Sequence, residues 1–304
     1  MSKIIKLYCE GVQGYSNEDS STTQKSNASW DKQLLEKLNV GVTIVPIGSK
    51  KGAGEAILAE NQYAVDKFDY YFFFRDRDFD KDLRTLDKET LFIEDKKNNK
   101  QEIIGQWCFS YRTTIENYLF DYEHFFNFLT SKKKDIVESK NLHTPNDVKK
   151  LFIKVAEKLK FHQAVRHTLG EMRERTDFGT NIKGKKSGDL PQDYDSEIFC
   201  KEEALNAIKK SKSKVDTKWT EEVFEEKFNN FLIIFNNSEF FEKMKFLIWF
   251  QGKDFATALR KELGSFSEKD MDSYYNYSLK HFKYTDFPDL VELRNLLLEK
   301  MKEV

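Results

Sequence analysis

Cysteine, proline and histidine are scarce in this 304-residue chain, which has three, four and five of them. Widely spaced Cys9, Cys108 and Cys200 make neither a disulfide framework nor a CxxC metal site, and reduced thiols are expected. The histidines show no HExxH or zinc-finger spacing. His162 and His167 lie five apart and miss the i, i+4 geometry of a helical metal pair, so each is expected to be a surface or core residue. No apolar run approaches the roughly 18 residues of a membrane span. The first residues, MSKIIKLYCEG, run straight into a strand pattern without a signal-peptide core, and a cytosolic protein is expected. A net charge of −1 excludes a uniformly basic nucleic-acid coat, so any such surface must be local. Neither a G-x-G-x-x-G dinucleotide motif nor a G-x-S-x-G elbow occurs. The one glycine-rich loop lacks the Gly-Lys-Ser/Thr close of a Walker A motif, so ATP hydrolysis by this chain is not expected.

Aromatic residues are plentiful, with 27 Phe and 13 Tyr to supply buried area. The apolar pattern divides the chain near residue 140. Before it, short β-branched and aromatic runs alternate with helical spacing. Strands are predicted over Ile4–Cys9, Val42–Ile47, Tyr70–Phe74 and, more weakly, Gln106–Tyr111. Helices are predicted over Trp30–Leu38 and Glu55–Phe68, with polar loops at 15–29 and 96–101, the latter placed as a hairpin tip. Such alternation points to an α/β fold with a mostly parallel sheet flanked by helices over residues 1–140. A helical domain is expected over 141–304, with Gly264 as a helix C-cap and Pro288 in a first turn.

Acidic residues cluster where the strands end. Glu10 closes the first strand, and Asp76, Asp78 and Asp80 follow the third in YYFFFRDRDFD. The carboxyl-end edge of a parallel sheet is where ligands bind in such folds. Carboxylates gathered there repel one another unless a cation intervenes, and an all-oxygen donor set suits Mg²⁺ or Mn²⁺. Glu10, Asp76 and Asp78 are the candidate metal ligands, with Glu10 either a ligand or a general acid/base and Asp80 a further candidate. A solvated charge run at a strand exit is the alternative. Arg75 and Arg77 flank these acids and either pair with them or reach phosphate. The loop at 48–54, with Gly52 and Gly54, offers a phosphate cradle or a plain turn.

These motifs, in this order, resemble the Toprim domain: Glu10-Gly11 after the first strand, a glycine-bearing turn after the second, and Asp76-Arg77-Asp78 after the third. The resemblance covers roughly residues 1–125. Arg112-Thr-Thr-Ile-Glu-Asn-Tyr-Leu119 and Phe250-Gln-Gly-Lys-Asp254 look like signatures of a defence-associated branch, related to the overcoming-lysogenization-defect nucleases and to the effectors of PARIS-type anti-phage systems. The resemblance implies a Mg²⁺-dependent nuclease acting on RNA, tRNA in particular, with an ABC-type ATPase partner and a homo-oligomeric state. Glu116 then either faces the same crevice or bonds buried backbone. The other readings are a non-catalytic docking or sensor subunit of an ATPase complex and a Toprim DNA nuclease.

Charge is uneven in one further place. Lys149 to Lys186 holds 11 Lys/Arg against 4 Asp/Glu. Lys154, Lys158 and Lys185, with Arg77, are the candidate nucleic-acid contacts, and a solvated lysine face on an amphipathic helix is the alternative.

Overall fold

The structure, a computed structural model, describes residues 5–10, 29–47, 57, 70–79, 81–97, 104–173, 188–211 and 220–303. The predicted helix 55–68, apart from Ile57, and the loops at 15–28 and 48–54 lie outside them. The chain forms two compact units. The first comprises residues 1–77, 83–111 and 282–304, and the second 78–82 and 112–281. The units change over at Tyr111–Arg112, where the sequence pattern placed a division near 140, and the last helix joins the first unit.

The first unit holds a five-stranded sheet in the order β2-β1-β3-β5-β4. Its strands are β1 (Ile5–Cys9), β2 (Thr43–Pro46), β3 (Tyr70–Arg75), β4 (Phe92–Lys97) and β5 (Ile104–Phe109). Only β4 runs antiparallel to its neighbour; β1 pairs in parallel with β2 and β3, and β3 with β5. β3 is central and every one of its residues is buried, as an unbroken apolar run requires. β4 was not legible as a strand, because four of the six residues of Phe92-Ile-Glu-Asp-Lys-Lys97 are charged. It is an edge strand, where charge blunts further pairing. Helix α1 (Trp30–Glu36) connects β1 to β2 and opens on Ser29, whose Oγ accepts from the Lys32 amide at 3.3 Å.

One sheet face packs Tyr8, Tyr71 and Phe73 with Ile57, and Trp107 stands edge-on to Phe73 at 5.3 Å. Gly105 is opposite Tyr71 in the β3–β5 register, and a Cβ there would run into the Tyr71 ring. The C-terminal helix, Pro288–Lys302, is tied to the sheet unit by polar side chains. Asp289 Oδ2 accepts from the Tyr111 amide (2.8 Å), Glu292 Oε2 from the Leu91 amide (2.9 Å), and Arg294 Nε donates to the Leu38 carbonyl (3.0 Å).

The second unit is helical. Its elements are α2 (Glu116–Leu119), α3 (Tyr122–Lys132), α4 (Lys134–Lys140), α5 (Pro145–Arg173), α6 (Glu197–Ser211), α7 (Glu221–Phe235), α8 (Ser238–Glu242), α9 (Phe246–Trp249), α10 (Gly252–Leu263) and α11 (Glu268–His281); the C-terminal helix of the first unit is α12. α5 spans 29 residues and is buried on every side from His162 to Gly170, so the other helices surround it. Met244, which has φ 52°, lies between α8 and α9. Phe79 joins this unit by stacking edge-on to His167 at 4.8 Å, over Gly170, where a Cβ would clash with it.

Replacing Gly105 by Ala should destabilise the sheet unit by about 1–3 kcal/mol through overpacking against Tyr71. Urea unfolding of Gly105→Ala, and of the same variant with Tyr71→Leu, checks this; the second change should recover part of the loss.

Candidate functional site

At the sheet edge the β1–β3 register puts Cys9 opposite Phe74. Glu10 follows β1 directly, and Asp76 follows β3, so both acids leave neighbouring parallel strands at the carboxyl-end edge. Glu10 keeps 23% of its side chain exposed and Asp76 is half-buried. Arg75 is buried, its Nε 3.9 Å from Glu10 Oε1. Its guanidinium lies over the Phe109 ring at 4.8 Å and the Trp107 ring at 5.6 Å. Arg75 therefore pairs with Glu10, the first of the two roles open to it. Arg77 is 1% exposed. Its Nε donates to the Tyr111 carbonyl and its amide to Ser110 Oγ, both at 3.0 Å. Such a guanidinium fixes the chain after β5 and is not presented to nucleic acid, which corrects the expectation for it.

Asp78 belongs to the second unit, whereas Glu10 and Asp76 belong to the first. Among the described residues, no group of three or more His, Cys, Asp or Glu side chains is gathered so as to hold a metal ion. Asp80, Gly52, Gly54 and Lys185 lie outside the described residues. Lys154 and Lys158 both donate to Glu262, each at 2.6 Å. Those two bonds hold the Glu262 carboxyl at about 2, against an ordinary 4.5. The two lysines are thus engaged by an acid from α10, a partner that counting charge along residues 149–186 does not reveal.

In the second unit the segments 112–119 and 248–254 interlock, and helix ends explain why. Every helix leaves its last carbonyls and first amides without intrahelical partners. At the end of α9, Thr113 Oγ1 donates to the carbonyls of Ile248 (2.8 Å) and Trp249 (2.7 Å), and Asn117 Nδ2 to that of Phe250 (2.9 Å). His167 Nε2 also donates to the Trp249 carbonyl at 2.9 Å. At the start of α10, Thr114 Oγ1 accepts from the Gly252 amide (3.1 Å) and donates to Asn117 Oδ1 (2.7 Å). Gly252 is required there: a Cβ would stand 2.7 Å from both Thr114 Oγ1 and Asn117 Oδ1.

Around this junction sit Asp78, Glu116, Gln251 and Lys253. Asp78 has φ 49°, in the left-handed region that Asp tolerates better than most residues. Its amide donates to the Thr113 carbonyl at 2.8 Å, and Gln251 Nε2 to its Oδ1 at 3.4 Å. Glu116 is buried, with Oε1 3.6 Å from Lys253 Nζ. Beneath them Asp254, fully buried, meets Arg166 Nε at 2.5 Å, Gln163 Nε2 at 2.7 Å and the Gly188 amide at 2.7 Å. His162, also buried, has Nδ1 3.7 Å from Asp254 Oδ2. Burial lowers its pKa from 6.5 to about 4, with Asp254 opposing the shift, so the ring is neutral at pH 7. The sequence reading missed this Arg166–Asp254 pair. The available signal was Arg166 sharing one helix face with His162 and Gln163, polar residues four and three positions before it, in a long helix.

The three thiols are buried, and burial raises each pKa; Cys200 is pushed up to about 12. They are inert core residues.

No family model matches the chain, and neither the curated proteins nor the solved structures yield a match.

Two outcomes follow from the buried pair. Asp254→Ala strands Arg166 in the interior and should cost about 3–5 kcal/mol, whereas Asp254→Leu with Arg166→Met should recover most of that, as read by urea denaturation. The pH dependence comes from His162. Its folded pKa lies below its unfolded one, so the unfolded chain binds the extra proton between them. Stability should be level above pH 6.5 and fall as pH drops from 6.5 towards 4. His162→Gln should flatten that window; the Glu262 contribution is lost lower, between 4.5 and 2.

Proposed function

We propose that this chain is a metal-dependent nuclease of the Toprim type that hydrolyses phosphodiester bonds. The observation that carries the reading is the placement of Glu10 and Asp76 after adjacent, parallel, in-register strands at the centre of the sheet. Ligand sites of open parallel sheets form at this edge.

The donors there fit a hard divalent cation. Both are carboxylates and neither is fully buried, with Arg75 Nε 3.9 Å from Glu10 Oε1. Mg²⁺ is commonly held by one or two carboxylates, with substrate phosphate oxygens and water completing the set. Two described acids thus suffice where a third is not gathered. When bound, the cation would neutralise phosphate charge and make its water more acidic. Glu10 and Asp76 would hold it, and Glu10, partly solvent-exposed, is the residue able to exchange a proton with water. Arg75, fixed over Phe109 and Trp107, limits the positions open to the Glu10 carboxylate.

RNA as substrate, tRNA in particular, and an ABC-type ATPase as partner rest on the Arg112–Leu119 and Phe250–Asp254 signatures and on the ordered Toprim-like motifs. One observation favours a second reading, a docking subunit of an ATPase complex: Arg75 already supplies Glu10 with a counter-charge, so the acid also makes sense as a structural partner.

Glu10→Gln and Asp76→Asn decide between them. For a nuclease, both variants melt like wild type, lose Mg²⁺ binding by calorimetry, and lose RNA cleavage by at least ~10²-fold. Cleavage at wild-type rate by Glu10→Gln would remove the catalytic role and leave the docking reading.

A further inference from the structure

Two of the five histidines meet at the surface of the second unit. His124 lies in the first turn of α3 and His281 is the last residue of α11, and their ring centres are 5.5 Å apart with an interplanar angle of 43°. The packing of the two helices holds them there. α3 and α11 run antiparallel, since Lys133, just past the end of α3, pairs at 2.8 Å with Asp270 in the first turn of α11. One turn in from the histidines, Phe128 packs on Tyr277 with ring centres 5.8 Å apart. His124 and Phe128 are four residues apart, as are Tyr277 and His281, so each pair shares a helix face. The Tyr277 ring lies against that of His281 at 4.6 Å. Both imidazoles still reach solvent: His124 keeps 32% of its side chain exposed, and His281 is exposed.

Imidazole nitrogens suit Zn²⁺, Ni²⁺ and Cu²⁺, whereas Mg²⁺ prefers oxygen. Two imidazoles on one tetrahedral Zn²⁺, with Zn–N of about 2.1 Å, set their ring centres about 5.3 Å apart. The separation of His124 and His281 is close to that. Asp121 supports the same use. Its Oδ1 accepts from the His124 amide at 2.8 Å, capping α3, and stands 3.9 Å from His124 Nδ1. A carboxylate on that side favours the tautomer with its proton on Nδ1, which leaves the Nε2 lone pair for a metal. Among the other candidate ligands of this kind, the three thiols, His162 and His167 are buried, and His143 is the other exposed imidazole. We propose that His124 and His281 form a binding site for a divalent transition-metal ion of the Zn²⁺ class. No group of three His, Cys, Asp or Glu is gathered there among the described residues, so water would fill the remaining positions. The bound ion would clamp the last turn of α11 to the first turn of α3, at helix ends that otherwise fray. The site differs in chemistry from the strand-end carboxylates and does not rest on the nuclease reading.

The test is calorimetric titration of the full chain, without a histidine tag, with Zn²⁺ in excess Mg²⁺, which occupies carboxylates and leaves imidazoles free. Wild type should bind one Zn²⁺ per chain, and its melting temperature should rise with Zn²⁺ present. His124→Gln and His281→Gln should each melt like wild type without Zn²⁺ and bind it at least ~10-fold more weakly. His143→Gln and Glu10→Gln should bind it as wild type does. No binding by wild type, or wild-type affinity in either His124→Gln or His281→Gln, would overturn the site. Loss of binding in His143→Gln or in Glu10→Gln would place the ion elsewhere and overturn it as well. Should one of the paired histidine variants not fold, the other decides. Should neither fold, the wild-type melting temperature decides, and one unmoved by Zn²⁺ overturns the site.

Discussion

The parallel pairing of β1 with β3 is the constraint on which the sheet edge depends. Five residues of each strand are locked in register, Ile5 with Tyr70 through Cys9 with Phe74. A slip of one residue would turn Tyr8 and Phe73 from one sheet face to the other and break the aromatic layer they share with Tyr71. The same register sets where Glu10 and Asp76 emerge. A buried central strand, costly to move, thus fixes two half-buried acids that could not position themselves.

The second unit solves a different problem, the satisfaction of helix ends in an interior crowded with rings. Phe120 alone touches Phe152, Phe255, Tyr274 and Tyr275. Such a core has no water to spare for loose carbonyls, and Thr113, Asn117 and His167 serve those of α9. Much of the Arg112–Leu119 signature is therefore architectural. Glu116 is its exception, since no bond in the described residues accounts for one of its oxygens.

Much of the frame was legible because it follows local rules. β3 reads as a buried run, Pro288 opens α12, and Gly264, with φ 77°, closes α10. The charged edge strand β4 was missed because its stability comes from pairing with β5 rather than from its own composition. The partner of Lys154 and Lys158 was not legible for a related reason. Glu262, which binds both, is more than 100 residues away in the sequence, at separations of 108 and 104. Arg77 looks from the sequence like a surface charge among acids, but it is buried and its Nε donates to the Tyr111 carbonyl. Glu10 and Asp76 were found because strand ends can be located from the strands themselves. Asp78, placed with them by its spacing from Asp76, belongs to the helical unit, as does Phe79.

Residues 282–304 complete a unit whose other parts precede residue 112, so the second unit is an insertion within the first. This has a consequence for a chain made from its N-terminus. While the ribosome is still adding the helical insertion, the sheet lacks Asp289, Glu292 and Arg294, which hold the backbone at Tyr111, Leu91 and Leu38. The sheet unit is complete only when that last helix has been made. The strand-end acids therefore gain their finished framework only once residues 288–302 have been added, and a product that stops short of them carries the acids on an incomplete support.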